Sequence, residues 1–103
     1  MSTNAATRRS HRIIEILARH GLDGTSNRAL AAAIGTSPPN ISRDIQTLAD
    51  IGYVRKTETG RYALTPKVLE ILREYGQACS AAHDKIEQHE RSLRPQNHIG
   101  GQF

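Results

Sequence analysis

Apolar residues recur at helical spacing in four stretches of the chain and at strand spacing in two short ones. Ile13, Ile14, Ile16 and Leu17 mark the buried side of a helix over 10–20, closed by Gly21. Leu30 and Ile34 share a stripe on a second helix, 27–34, which Ser26 can cap and Gly35 can stop. A third begins at Ser37 with Pro38 in its first turn, where proline is welcome, and Ile41, Ile45, Leu48 and, more loosely, Ile51 fall on one face before Gly52. Tyr53 to Lys56 and Arg61 to Leu64 read as two strands joined by the turn Thr57-Glu58-Thr59-Gly60. Val54, Tyr62 and Leu64 are then placed toward the helices, with Arg55 and Arg61 outward. From Pro66 the chain reaches Leu93 without another proline. Within that stretch Val68, Leu72, Tyr75, Cys79, Ala82, Ile86, His89 and Leu93 are spaced 4, 3, 4, 3, 4, 3, 4, the repeat by which two helices wind together. A homodimer through this helix is expected.

The pattern predicts a mostly α fold with a small β-hairpin. It divides into a flexible basic arm at 1–9, a compact head at 10–65, a long C-terminal dimerisation helix at 66–94 and a disordered tail at 95–103. At 103 residues with 37% hydrophobic content and little aromatic surface, there is room for one modest core. Net charge is +4, and its placement says more than its size. Residues 1–67 hold ten Lys/Arg against five acids, whereas the remainder holds four against five. The basic excess therefore sits wholly in the first two thirds of the chain, where it fits a polyanion partner. Arg8, Arg9 and Arg12 cluster near the N-terminus, where a basic arm can reach phosphates or a minor groove.

The third helix turns Pro39, Asn40, Ser42, Arg43, Gln46, Thr47 and Asp50 away from its apolar face. Such a set suits a solvated surface. It also suits a helix laid in a major groove, where Arg reads guanine and Asn or Gln reads adenine with paired hydrogen bonds.

The run from Ser26 through Thr65 resembles the winged helix-turn-helix domain of bacterial transcription regulators. It is most similar to the N-terminal domain of the IclR family, with the MarR group next. The matching positions are Gly35 in the turn, Ile41, Ile45 and Leu48 in the second of the paired helices, Gly52-Tyr53-Val54 at the strand start, and Gly60-Arg61-Tyr62-Ala63-Leu64 in the hairpin. The resemblance spans about residues 10–70. It implies a recognition helix carrying Ser37, Pro39, Asn40, Ser42, Arg43, Gln46 and Thr47 toward double-stranded DNA, and a wing whose Arg55, Lys56 and Arg61 touch the backbone or minor groove. Two departures stand out. Pro38 and Pro39 replace residues that could offer amides to a phosphate, and Asp44 occupies a rather apolar position of the family, where it could pair with a base from a neighbouring helix. The large effector-sensing domain of IclR regulators has no counterpart in these residues, so a small-molecule effector is not expected.

Other chemistry is thin. Cys79 and His83 lie one helical turn apart, but no second ligand pair follows, so no metal site is expected and Cys79 reads as a small core residue. No glycine-rich phosphate loop, no nucleophile with a placed base and no paired carboxylates point to an enzyme or a cofactor. Without an apolar run of membrane length or a secretory leader, the expected setting is the cytoplasm. The expected function is a homodimeric, sequence-specific DNA-binding transcription regulator. A winged helix used only to dock proteins is the alternative, since the fold does not fix the function.

Overall fold

The structure is a computed structural model that describes residues 2–93 of the chain, as four helices and a two-stranded antiparallel hairpin. In order these are α1 (Ser2–His20), α2 (Asn27–Ile34), α3 (Pro38–Asp50), β1 (Val54–Lys56), β2 (Tyr62–Leu64) and α4 (Pro66–Leu93). The chain divides after Leu69 into two units, the first holding the core and the second the described part of α4 from Glu70.

Burial of the apolar stripes builds the head. Ile13 and Leu17 of α1, Leu30 of α2 and Ile41 of α3 are each 0% exposed. Ile16, Ala31, Ile45, Leu48 and Val54 complete the cluster, and Ile14, Ile34, Tyr53, Tyr62 and Leu64 pack around it. The local punctuation matches the expected boundaries of α2 and α3. Ser26 Oγ accepts from the Ala29 amide at 3.1 Å. At the other end Gly35 adopts φ +85°, and both its amide and that of Thr36 donate to the Ala31 carbonyl, at 2.9 and 3.0 Å. Ser37 Oγ then accepts from the Asn40 amide at 3.3 Å and opens α3.

Residues 2–9 of the expected arm are instead helical, because α1 starts at Ser2. An apolar stripe is not needed to extend a helix whose later turns are already docked, and Ala5 and Ala6 are strong helix formers. Side chains reinforce the turn: Ser10 Oγ donates to the Ala6 carbonyl at 3.0 Å and His11 Nδ1 to that of Thr7 at 2.9 Å. The expected tail at 95–103 lies outside the described residues.

In the hairpin, Val54 pairs with Leu64, Arg55 with Ala63 and Lys56 with Tyr62. The strands are one residue shorter than expected at Tyr53 and at Arg61. Behind β2 the connector adds a third edge, since Thr25 and Tyr62 exchange backbone hydrogen bonds of 2.9 Å each. Gly24 packs so closely there that Ala63, on the face away from Val54, is fully buried. Both faces of β2 are thus covered. Lys67 ties the start of α4 to the end of α3, donating to the Ile51 carbonyl at 3.1 Å with its ammonium 5.3 Å from the Tyr53 ring centre.

Candidate nucleic-acid interface

The outward side of α3 is a polar surface whose members are held by one another. Ser42, Arg43, Gln46 and Thr47 are exposed, as are Ser37 and Pro39 at the helix start, while Asn40 is half-buried. Asn40 Nδ2 donates to Thr36 Oγ1 at 2.9 Å, and Asn40 Oδ1 accepts from Arg43 Nη2. The arginine is therefore aimed by an amide that is itself anchored in the turn. Asn27, in the first turn of α2, donates to Ser42 Oγ at 2.9 Å and to the Pro38 carbonyl at 3.3 Å, fixing the angle between the two helices. Gln46 Nε2 donates to Asp50 Oδ1 at 3.0 Å and Thr47 Oγ1 to the Arg43 carbonyl at 3.3 Å. Thr36 and Asn27 were not among the residues singled out from the sequence. Their signal was position alone, one in the turn before α3 and the other at the start of the helix packed against it.

The three wing cations differ. Lys56 and Arg61 are exposed, with Arg61 just past the turn glycine Gly60, which adopts φ +83°. Arg55 is half-buried and less free than expected: its Nη2 donates to the Leu22 carbonyl at 3.2 Å, tying the hairpin to the connector that follows α1. Between α3 and the hairpin lies an open cleft of about 330 Å³ lined by Ser42, Gln46, Arg55 and Lys56 over an apolar floor of Ile45, Val54 and Tyr62. Its polar lining carries cations and neutral groups without a carboxylate. A second cleft of about 420 Å³, between the connector and the wing tip, mixes Arg55 and Arg61 with Asp23 and Glu58. The first is the better seat for a polyanion.

Arg9, expected on a free arm, instead holds the interface from behind. Its Nε donates to Asp44 Oδ2 at 2.6 Å and its Nη2 to Asp44 Oδ1 at 3.2 Å. Asp44 sits among the core residues of α3 at 5% exposure. The hydrogen bond to Asp44, helped by the opposite charge and opposed by burial, raises the Arg9 guanidinium above the usual arginine range.

In α4 the expected dimerisation residues Leu72, Tyr75, Cys79, Ala82 and Ile86 are exposed and Val68 is half-buried, while the side chain of Leu93 lies outside the described residues. Cys79, read from the sequence as a small core residue, is exposed. Hydrogen bonding to Cys79, and then its charge, hold the Tyr75 phenol above the ordinary tyrosine range. One group among the described residues, His83, Asp84 and Glu87, brings metal-type donors within 4.8 Å of one another, and it does not include Cys79. His83 Nε2 lies 3.7 Å from Glu87 Oε2, an ordinary pair one turn apart. No described helix is long and apolar enough to cross a membrane.

The family model of the IclR helix-turn-helix domain matches residues 6–58, from the first turns of α1 to the wing turn. No curated protein matches the chain.

Proposed function

Because the chain belongs to the IclR helix-turn-helix domain family, a DNA-binding domain of transcription regulators, we propose that it is a sequence-specific regulator acting as a homodimer through α4. In this reading α3 enters the major groove with Ser42, Arg43, Gln46 and Thr47 toward the base edges. Ser37 and the wing cations Lys56 and Arg61 meet the phosphates or the minor groove. The cleft beside α3 takes one strand of the backbone. The observation that carries the reading is the placing of an exposed, donor-rich face of α3 beside an exposed basic wing, with Arg43 already oriented by Asn40. The chain acts by binding alone and carries out no catalysis. A two-fold dimer asks for a roughly palindromic site with half-sites about 34 Å apart, or a multiple of that.

Selection from a randomised duplex library at near-physiological salt, with Arg43→Ala beside the parent, tests it. The parent yields a two-fold motif, and the variant loses about 1–3 kcal/mol of discrimination at one base position per half-site. Weak, salt-labile and sequence-blind binding by the parent would refute sequence reading. A partner bound equally well at high salt would favour the protein-docking alternative.

A further inference from the structure

From Glu70 to Ser92 no residue of α4 is buried, and only His83 and Glu87 are even half-buried. Yet the helix keeps a one-sided apolar stripe, with Leu72 63%, Tyr75 68% and Ile86 49% exposed. A lone helix of marginal propensity, interrupted by Gly76, is not sustained by its own hydrogen bonds and needs that stripe covered. The segment as a whole does not suit a lipid surface or DNA, since residues 70–92 hold five acids and three bases. The stripe itself is suited to close approach. Cys79 and Ala82 are small, so two helix backbones can come near one another there.

Charge decides what covers it. With Leu72, Cys79 and Ile86 on one seam position and Tyr75, Ala82 and His89 on the other, Lys85 and Glu90 flank the seam five residues apart. In two parallel, in-register helices that is the spacing of opposing flanking residues, so Lys85 of each copy meets Glu90 of the other, twice by symmetry. Reversing one helix about the middle of the seam would put each flank beside its own kind, so that Lys85 would face Ile71 or Ala78 and Glu90 would face Gly76, with His89 against Leu72. We propose that α4 from Leu72 onward pairs with α4 of a second copy, parallel and in register, with the Lys85–Glu90 pairs selecting that orientation. The proposal rests on the homodimer reading above and adds its partner geometry.

Sedimentation equilibrium on the full chain and on Lys85→Glu, Glu90→Lys and the double variant tests it. Each single reversal should weaken the dimer roughly 5- to 20-fold, and the double variant should return to within about threefold of the parent. A nitroxide on Ser92→Cys, in a Cys79→Ala background, reports orientation independently. Parallel helices 8–10 Å apart keep the two labels within roughly 25 Å, whereas antiparallel ones separate them by more than about 35 Å. A long distance with additive reversals overturns the parallel pairing while leaving a dimer. A monomer at every concentration overturns the homodimer reading itself.

Discussion

Arg9 and Asp44 lie 35 residues apart in the chain and meet as a two-bond pair against the core. The pair holds α1 on the back of α3. Removing the arginine leaves a carboxylate at 5% exposure without its cation, so Arg9→Ala should cost about 2 kcal/mol in urea unfolding. Affinity for DNA per folded molecule should change little; a DNA defect without a stability loss would return Arg9 to the role of a free arm. Because the pairing raises the Arg9 pKa, the cation's part of this stability is fully present below the usual arginine range and fades only as pH rises through the raised value. On the other side of α3, Asn40 uses both ends of its amide to link Thr36 to Arg43. Asn40→Ala and Arg43→Ala should therefore be non-additive in binding free energy by roughly 0.5–2 kcal/mol, as a double-mutant cycle on one duplex would read out. Additive losses would make Asn40 an independent base reader. That Asp44 could pair with a base from a neighbouring helix was legible in the sequence. Which of Arg8, Arg9 and Arg12 supplied it was not, because the choice depends on α1 continuing back through that cluster.

At the scale of elements, start and stop chemistry was the most readable layer. Ser26, Gly35, Ser37 and Pro38 bracket α2 and α3 where the helical pattern placed them. The early turns of α1 were hidden because their helicity is borrowed from docked residues further on, and the third edge of the wing because Thr25 is a single paired residue without strand character. That edge explains a contrast between two glycines in one connector. Gly21 has φ +58° with open space where a Cβ would stand, so Gly21→Ala should cost only the left-handed conformation, about 1–2 kcal/mol. At Gly24, with φ +69°, a Cβ would lie 2.0 Å from the Tyr62 carbonyl oxygen, so Gly24→Ala must also break the Thr25–Tyr62 bridge. A loss of at least about 3 kcal/mol is expected, with unfolding midpoints of the two variants well separated. Equal midpoints would mean the bridge contributes little to holding the wing.

At the scale of the molecule, the basic excess lies in residues 1–67, and the structure sorts those cations by availability. Arg9 is committed to Asp44, Arg55 to the Leu22 carbonyl and Lys67 to the Ile51 carbonyl. Arg43, Lys56 and Arg61 remain exposed around α3 and the wing. This sorting selects the probe. Arg55→Ala would confound lost binding with a loosened hairpin, whereas Arg61 keeps its backbone amide on Thr57 Oγ1 at 3.0 Å whatever its side chain. Arg61→Ala should leave the unfolding midpoint in place and weaken every DNA sequence by a similar factor. It should also make the slope of log affinity against log salt shallower by about 1 for each phosphate that the side chain no longer neutralises. Arg43→Ala should change the ranking of sequences. If the two variants gave the same profile, with one uniform loss and an unchanged ranking, both residues would be acting on phosphates. The division of α3 into a base-reading face beside a backbone-gripping wing would then fail, even with the fold intact.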